Sequence, residues 1–332
     1  MDKVLVTGGA GFIGSNFVRQ KINETDCKIV NLDKLTYAGS LKNIKDLRHE
    51  KRHKFVKGDI RNSRLANSLV RKVDAVVNFA AESHVDRSIQ TPEVFIETNV
   101  LGTQVLLEAC RRFRVRFEQI STDEVYGSRV EGSFKETDPL SPSSPYSASK
   151  AGADLLVNAY FVTYDLDVTV TRSTNNYGPS QHPEKLIPRL VTNALRGRPL
   201  PIYGTGENIR DWIFVEDNCR AIRLVLENGE KGQVYNIAGG NEKKNIDIAR
   251  EILHYLSLPE TMIEFVTDRP GHDLRYSLDC QKIQQQGWKP QVTFEQGLQK
   301  TIDWYAANKR WWLTMVDPSA DTASMASLRR QF

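Results

Sequence analysis

The chain has 332 residues, of which 40% are hydrophobic and 26% are charged, and its formal net charge is +4 at pH 7. This composition is that of a globular protein with a large core, in one big domain or two. Basic residues are spread along the chain and no apolar run reaches membrane-spanning length, so we expect no nucleic-acid partner and no membrane. The four cysteines and six histidines lack disulfide or zinc-ligand spacing, which predicts no metal site and a reducing, cytoplasmic location.

The N-terminal segment has the pattern of a nucleotide-binding strand, turn and helix. An apolar run ends in Gly8, Gly11 and Gly14, with Phe12 and Ile13 between the last two. Glycines at this spacing allow a tight turn, a close approach of the backbone to a pyrophosphate, and close packing of the next helix. The pyrophosphate would lie on the N–H groups at the start of that helix.

A second strand, over 28–32, ends at Asp33, near the expected distance from the glycines for an acid that binds the adenosine ribose. This carboxylate would accept hydrogen bonds from both ribose hydroxyls and repel a 2′-phosphate, which favours NAD over NADP, although Lys34 could offset part of the repulsion. A turn residue after a strand is the alternative interpretation of Asp33. The next strand ends at Asp59 and Ile60, where Asp59 could bind the adenine amine.

A buried strand over 74–81 ends in Ala80 and Ala81, two small residues that let a ligand approach the backbone. A polar loop over 82–88 follows at the same edge of the sheet. Its His84 is a candidate for catalysis, although a single loop histidine is more often structural.

A helix over 98–112 and a strand over 115–120 lead into the polar stretch 121–127, which offers a hydroxyl and the adjacent carboxyls of Asp123 and Glu124. Open α/β sheets bind ligands at the carboxyl ends of their strands, so these groups are candidates for chemistry. The alternative is a helix capping box, because the first and fourth residues of the stretch have S-x-x-E spacing. A glycine at the end of the stretch would stop such a helix within a turn.

Ser144 and Pro145 predict the start of the next helix, with a serine N-cap and a proline in the first turn. Tyr146 and Lys150 then lie on one helical face. The lysine ammonium and the helix dipole would favour the tyrosine phenolate, which is a better base than the phenol. Y-x-x-x-K spacing alone is common, but after a nucleotide-binding turn it is specific.

The alternation of strands and helices predicts an α/β fold: a Rossmann-type doubly wound parallel sheet with a smaller interleaved C-terminal substrate-binding domain. We expect an NAD-binding domain over 1–173 plus about 210–240, a nucleotide-sugar-binding domain over about 174–209 plus 241–312, and a partly disordered tail over 313–332 after a final helix near 294–308. Spare apolar surface on helices near 98–112 and 146–164 predicts a homodimer.

These motifs resemble those of the extended short-chain dehydrogenase/reductases, and within them the 4,6-dehydratases of dTDP-glucose. The likeness is collinear from residue 3 to about 312 and includes N-N-Y-G-P at 175–179, P-E-K-L-I-P at 183–188, R-D-W at 210–212 and D-R-P-G-H-D at 268–273. The resemblance implies that the Asp123-Glu124 pair distinguishes the dehydratases from related epimerases and decarboxylases.

The resemblance also implies a reaction on a nucleotide-activated hexose. Tyr146, assisted by Thr122 and Lys150, takes the proton of the sugar 4-hydroxyl while hydride leaves C4 for NAD. Glu124 then removes the C5 proton, Asp123 protonates the departing 6-hydroxyl, and hydride returns to C6.

Binding residues follow from the same resemblance. It implies cofactor contacts from Gly8, Gly11, Phe12, Ile13, Gly14, Asp33, Lys34, Leu35, Thr36, Asp59, Ile60, Ala80, Ala81, Ser83, Asn99, Tyr146, Lys150 and Asn176. It implies nucleotide-sugar contacts from Ser83, Thr122, Asn175, Lys185, Leu186, Pro201, Tyr203, Arg210, Asn245, Arg269 and His272. Arg210 suits a diphosphate because a guanidinium matches phosphate oxygens bidentately, and an ordinary ion pair with Asp211 is the alternative.

Three positions depart from the family pattern, namely Thr174, His182 and Leu274, and they leave the choice between a dTDP-sugar and a UDP-sugar open. Two other functions also stay open. An epimerase or decarboxylase of the same fold would use Tyr146 and Lys150 without an acid–base pair. A non-catalytic NAD or nucleotide-sugar sensor would be expected to have lost catalytic residues, yet the whole set is present.

Overall fold

The computed structural model describes residues 1–268 and 272–316. Its strands are β1 (Lys3–Thr7), β2 (Lys28–Asp33), β3 (His53–Lys57), β4 (Ala75–Asn78), β5 (Arg116–Thr122), β6 (Val168–Ser173), β7 (Asn175–Tyr177), β8 (Leu200–Tyr203), β9 (Ile209–Phe214), β10 (Gln233–Ile237), β11 (Glu242–Lys244) and β12 (Ile263–Val266). Its α-helices are α1 (Phe12–Glu24), α2 (Ser63–Val70), α3 (Val85–Gln90), α4 (Pro92–Phe95), α5 (Gly102–Phe113), α6 (Pro145–Tyr164), α7 (Leu186–Ala194), α8 (Val215–Asn228), α9 (Asn245–Tyr255), α10 (Gln281–Gln285), α11 (Phe294–Ala307) and α12 (Lys309–Val316). Short 3-10 turns cover Leu41–Leu47, Asp123–Tyr126 and Glu260–Met262, and a π turn covers Ile96–Leu101.

Seven parallel strands form the large sheet, in the order β10, β6, β5, β4, β1, β2, β3. The direction of winding reverses between β1 and β4, which is the switch point where doubly wound sheets bind ligands. The predicted α/β fold with a Rossmann-type parallel sheet is confirmed.

Helices cover both faces of this sheet because side chains alternate along each strand. Val4 and Val6 of β1 lie in one buried cluster with residues of α1 and α8. Leu5, between them, lies in a second cluster with residues of α5 and α6. The two apolar layers hold the carboxyl edge of the sheet, and the loops that follow its strands, in place.

The smaller part of the chain contains two short sheets, one of β11, β9 and β7 and one of β12 and β8. A third buried cluster joins them to α7, α9, α11 and α12, and Tyr177 packs edge-on against Trp212 and Phe214 within it. The predicted residue boundaries of the two domains stay a prediction.

The C-terminal region is more regular than the sequence predicted. The helix predicted near 294–308 is α11, but it is not the last helix, because Lys309–Val316 form α12. The first four residues of the tail predicted over 313–332 are therefore helical. Trp312 is fully buried, and the Trp311 Nε1 donates a hydrogen bond to Asn43 Oδ1 at 3.0 Å. Residues 317–332 of the predicted tail lie outside the described residues.

The predicted helix over 98–112 begins differently, since a π turn over Ile96–Leu101 precedes α5. None of the helices in the described part of the chain combines the length and apolarity needed to cross a membrane.

Candidate active site

The turn between β1 and α1 is built so that only glycine fits. Gly8 has a φ of +67°, and a Cβ there would lie 2.6 Å from the backbone nitrogen of Ala80. A Cβ on Gly14 would lie 2.3 Å from the Gly8 carbonyl oxygen. Helix α1 begins after Gly11 without a side-chain cap, so its first N–H groups are directed at the cleft and suit a pyrophosphate.

Asp33 lies at the end of β2, beside this turn. Its Oδ2 accepts a hydrogen bond from the Ala10 N–H at 2.9 Å and its Oδ1 accepts one from the Leu35 N–H at 2.7 Å. Burial raises the pKa of Asp33, against these two hydrogen bonds. The backbone of both neighbouring loops therefore fixes the carboxyl in the position expected for the ribose.

Asp59 binds the lysine that could have weakened the preference for NAD. The Lys34 Nζ lies 2.9 Å from Asp59 Oδ2, and the Arg61 guanidinium binds the same carboxylate at 2.8 Å. Burial alone would raise the pKa of Asp59, but Arg61 and Lys34 hold it well below its usual range. With Lys34 paired in this way, the charge that Asp33 presents to a 2′-phosphate is less compensated.

Asn99 has a different environment from the one expected of a cofactor contact. It is buried, and in the described structure its neighbour Thr98 lines the cleft while Asn99 does not. Its Oδ1 accepts from the Glu82 N–H at 2.9 Å, and its Nδ2 donates to the Glu82 carbonyl at 3.0 Å and to Ser149 Oγ at 2.8 Å. Asn99 thus orders the loop after β4 and connects it to α6.

One cleft of about 290 Å³ contains most of the predicted site. Its lining includes all the predicted cofactor residues except Leu35 and Asn99, together with the predicted catalytic residues Thr122, Asp123, Glu124, Tyr146 and Lys150 and the substrate residues Ser83, Asn175 and Lys185.

Thr122 organises the carboxyl pair from the end of β5. Its Oγ1 accepts a hydrogen bond from the Glu124 N–H at 3.3 Å and donates one to Asp123 Oδ1 at 3.1 Å. Thr122 is therefore the N-cap of the 3-10 turn, and the alternative of a capping box that starts at Ser121 was wrong. The Ser121 hydroxyl binds Asp154 instead, at 2.9 Å.

The two carboxyls of the pair have different surroundings. Asp123 is only 2% exposed, and its Oδ2 has no hydrogen-bond partner among the described residues. Burial, and after it the negative charge of Glu124, raises the pKa of Asp123 well above its usual range. Glu124 is less buried. Asp123 is thus placed as the protonated member of the pair, as expected of an acid.

Helix α6 brings the tyrosine and the lysine to the same cleft. The Ser144 Oγ accepts from the Ser147 N–H at 3.1 Å, so the predicted helix start is confirmed. The Thr122 side chain acts to lower the pKa of Tyr146, and the Lys150 Nζ donates to the Ile120 carbonyl at 2.6 Å.

The surroundings of Tyr146 oppose the phenolate that the helix position and the lysine favour. Burial, then Glu124 and Asp123, raises the pKa of Tyr146 well above its usual value. The Lys150 ammonium does not reverse this rise; it donates to the Ile120 carbonyl, and burial lowers its own pKa to about 8. Ionisation of Tyr146 during the reaction therefore stays a prediction.

Two asparagines after β6 offer acceptors to a ligand. The Oδ1 atoms of Asn175 and Asn176 are buried and have no hydrogen-bond partner among the described residues. Lys185 lies opposite, with its Nζ 2.6 Å from the Ser83 carbonyl oxygen. Buried polar atoms of this kind usually have a partner, so the cleft is suited to a polar ligand.

Arg210 is buried and does not line the cleft, but it is close enough to Asp123 for its charge to lower the pKa of that carboxyl. Its guanidinium donates to the carbonyls of Asp273 at 2.8 Å and Leu274 at 3.3 Å and stacks 4.2 Å from the ring centre of Tyr276. Asp211 accepts from the Gly239 N–H at 2.8 Å.

The other predicted substrate residues are further from the cleft. Leu186 begins α7, Pro201 and Tyr203 are on β8, and Asn245 begins α9. The Tyr203 ring lies edge-on to His272, whose Nδ1 is 2.6 Å from Asp268 Oδ1. The structure does not bring these residues into the cleft lining, and Arg269 lies outside the described residues.

The residues present fit NAD. The glycine cradle, the acid at the end of β2 and the residues Asn175 and Asn176 line one cleft. In the described parts of the chain, no three His, Cys, Asp or Glu side chains are grouped so as to hold a metal ion.

Sequence reasoning missed several neighbours of the site. Tyr276 is close enough to Glu124 for that carboxylate to contribute to raising its pKa, and Tyr37 stacks under the Arg87 guanidinium at 3.8 Å. No motif marks Tyr276, whereas Tyr37 lies in the stretch 33–39, which shares in the family resemblance. The candidate catalytic histidine of the loop, His84, precedes α3 without a capping hydrogen bond from its side chain. Its Nε2 lies 3.7 Å from Glu184 Oε2, and burial lowers its pKa.

The chain matches the model of a known protein family and is similar in sequence to characterised proteins. The model of the GDP-mannose 4,6-dehydratase family matches residues 5–301. The chain is 54% identical to the low-salt glycan biosynthesis protein Agl12 of Haloferax volcanii, over 91% of this chain and 98% of that protein. It is 49% identical to the dTDP-glucose 4,6-dehydratase of Streptomyces niveus, over 97% of this chain and 98% of that one.

The fold is also similar to that of a solved structure. DesIV, a dTDP-glucose 4,6-dehydratase from Streptomyces venezuelae determined with NAD bound, superimposes with a TM-score of 0.92 at 51% identity. The match covers 93% of this chain and 98% of that one. The likeness therefore spans both the large sheet and the smaller part of the chain.

Proposed function

We propose, on the premise that the chain belongs to the GDP-mannose 4,6-dehydratase family, that the cleft between β1, β5 and α6 dehydrates a nucleotide-activated hexose. The enzyme is an NAD-dependent hydro-lyase, a dTDP-glucose 4,6-dehydratase that forms the 4-keto-6-deoxy sugar. The observation that carries the proposal is the pair Asp123 and Glu124, two adjacent carboxyls in unlike surroundings in one cleft with Tyr146.

The first step is an oxidation at C4. When bound, NAD supplies the hydride acceptor and a positive charge that favours ionisation of a nearby phenol. As the phenolate, Tyr146 would receive the proton of the 4-hydroxyl, and the Thr122 side chain, which acts to lower the pKa of Tyr146, favours that form. The resulting ketone makes the C5 proton acidic.

The second step removes water across C5 and C6. Glu124 accepts the C5 proton, the C5 electron pair forms the double bond to C6, and the C6–O bond breaks as Asp123 gives its proton to the leaving hydroxyl. A proton returns to C5, and the cofactor, when bound, would give its hydride back to C6, so that oxidation and reduction balance within one turnover. The raised pKa of Asp123 supports its assignment as the acid.

Substrate binding is proposed for the part of the cleft near β7 and α7. Asn175 and Lys185 line it and suit hydroxyl and phosphate oxygens. Arg210 is close enough for its charge to act on Asp123, and we assign it to the diphosphate.

The test is incubation of the purified protein with dTDP-glucose and, in parallel, with UDP-glucose, followed by mass spectrometry of the nucleotide sugar. The dehydratase produces a sugar lighter by one water. An epimerase would change the stereochemistry without loss of mass, and a sensor would bind without turnover. Neither substrate losing water, with NAD present in the protein, would refute the proposal; the ratio of the two rates gives the base preference.

We also propose a homodimer, since large apolar side chains are exposed on α6 and on the helical segments that pack beside it. They are Ile89, Val94, Ile96, Leu101, Leu155, Val162 and Tyr164. Their proximity suits an interface of the kind in which apolar patches are covered by a second copy. A monomeric mass in sedimentation at working concentrations would contradict it. The cysteines are unpaired thiols, which suits the cytoplasm as the proposed location, and cell fractionation tests this.

A further inference from the structure

Helix α6 carries a third ionisable residue on the face that holds Tyr146 and Lys150. Asp154 follows Lys150 by four residues, so the three side chains form one stripe. Asp154 is 3% exposed. A carboxylate buried this deeply is expensive unless it is paired, so its partners are informative.

One oxygen atom of the Asp154 carboxylate connects α6 to both β5 and β6. Its Oδ2 accepts a hydrogen bond from Ser121 Oγ of β5 at 2.9 Å and one from Arg172 Nε of β6, also at 2.9 Å. Arg172 in turn donates to the Tyr126 hydroxyl at 2.8 Å. The residue before Thr122 and the last residue of the turn that carries the carboxyl pair are thus both fixed from Asp154.

Asp154 also acts on the lysine of the site. Lys150 is buried, which lowers its pKa to about 8, and the Asp154 charge opposes that effect. Besides Lys150, the ionisable groups that face this region are Tyr146 and Asp154 on α6, Asp123, Glu124 and Tyr126 on the 3-10 turn, and Arg172 on β6. Asp154 is the one of these whose charge shifts the titration of Lys150.

We propose that Asp154 is a positioning residue for the oxidation step, which holds the Thr122–Glu124 turn against α6 and places its carboxylate one helical turn from Lys150. The proposal rests on the proposed dehydratase function. Asp154 does not line the cleft in the described structure, so it acts through Lys150 and through Ser121 and Arg172.

Its consequence is a defined pH range. The Lys150 ammonium is present below its pKa of about 8 and is lost as the pH rises through that value. Without the Asp154 charge, Lys150 would lose its proton at lower pH, because an opposite charge within a few ångströms favours the charged form. The alkaline limit of hydride transfer from C4 should then move toward neutral pH.

The decisive variant is Asp154→Asn, which keeps an oxygen that can accept from Ser121 and Arg172 but removes the charge. In protein labelled with nitrogen-isotope lysine, the Nζ resonance of Lys150, assigned by its loss in Lys150→Met, should titrate about one unit or more lower. Cofactor reduction in a single turnover should show the same acid shift in its pH profile. The control Ser121→Ala removes one hydrogen bond but no charge, and should leave the Lys150 titration unchanged.

Asp154→Asn leaves Arg172 buried without its counter-charge and could unfold the protein. The double variant Asp154→Asn with Arg172→Gln removes both charges and decides the question in that case, with the same expected shift. An unchanged Lys150 midpoint in either folded variant overturns the proposal, as does failure of both variants to fold, since the pair would then be only structural. If the wild-type protein removes no water from either nucleotide sugar, the dehydratase function fails, while the Lys150 titration still reports on Asp154.

Discussion

Glu124→Gln separates the oxidation step from the elimination step. Gln has nearly the same shape as Glu, and the Glu124 N–H that anchors the turn to Thr122 Oγ1 is part of the backbone, so the turn should keep its geometry. The change removes the base that takes the C5 proton. It leaves Tyr146, Lys150 and the glycine cradle untouched.

The expected loss of rate in Glu124→Gln follows from the proposed role of Glu124 as a general base. A positioned general base contributes about 10²–10⁴-fold to a rate, which corresponds to about 3 to 5 kcal/mol of transition-state stabilisation. The same change should favour the first step, because the negative charge of Glu124 is one of the causes that raise the pKa of Tyr146. Elimination should therefore slow by about 10²–10⁴-fold while the ketone and reduced cofactor still form.

The assay is stopped-flow absorbance of the reduced nicotinamide after mixing with dTDP-glucose, with the product quantified by mass spectrometry. In the wild-type protein the reduced cofactor should be transient, and in Glu124→Gln it should accumulate and persist. Glu207→Gln, at an exposed carboxylate paired with Lys244, is a matched control and should behave as wild type. Unchanged turnover in Glu124→Gln would refute its role as the base, and loss of cofactor reduction would show that the residue is needed earlier.

Three further outcomes are expected. Asp123→Asn should slow elimination by about 10²–10⁴-fold yet raise the melting temperature at neutral pH. The pKa of Asp123 is raised in the folded state, so ionisation of this carboxyl destabilises the folded protein above the usual Asp range. The gain in melting temperature should therefore vanish on acidification in thermal melts. Gly14→Ala should abolish NAD retention on gel filtration because its Cβ would meet the Gly8 carbonyl oxygen at 2.3 Å, whereas Gly152→Ala, with only Val100 Cγ2 at 3.5 Å, should retain NAD. Trp311→Phe should lower the free energy of unfolding in urea by about 1 kcal/mol, the usual contribution of one hydrogen bond, and an unchanged midpoint would contradict this.

Much of the fold could be predicted because its signals are local. The apolar strands, the glycine turn and the serine and proline before α6 each fix a short piece of structure within a few residues. Parallel strands end at one edge of the sheet, which is why the polar residues after β1, β2, β4 and β5 could be assigned to one cleft without knowledge of any contact.

The protonation of the site could not be predicted in the same way. The Y-x-x-x-K spacing places Tyr146 and Lys150 on one helical face but does not indicate how deeply that face is buried from water. In the structure, burial and the charges of Glu124 and Asp123 outweigh the lysine, so the pKa of Tyr146 rises where the spacing indicated a fall. Such an effect depends on residues from separate elements.

Contacts that span long stretches of chain could not be predicted either. The family resemblance implied a cofactor contact for Asn99, which stays a prediction, and in the structure its side chain binds Glu82 and Ser149, 17 and 50 residues away. Trp311 reaches Asn43 across 268 residues, and this contact, with the burial of Trp312, explains why the chain remains helical where its composition predicted a tail. The sequence pattern within α12 does not indicate that its residues contact distant parts of the chain such as Asn43.

The position of Glu124 beside Asp123 also gives the elimination an order. The negative charge of Glu124 is, after burial, the main cause that holds the proton on Asp123. When Glu124 accepts the C5 proton, that charge disappears, and the pKa of Asp123 must fall because one of the causes that raised it is gone. Asp123 thus becomes the stronger acid when the 6-hydroxyl needs a proton to leave. Two distant carboxyls could not couple in this way, since the interaction weakens with distance and with screening by water. Adjacency in the sequence, at the dry end of β5, is therefore part of the mechanism.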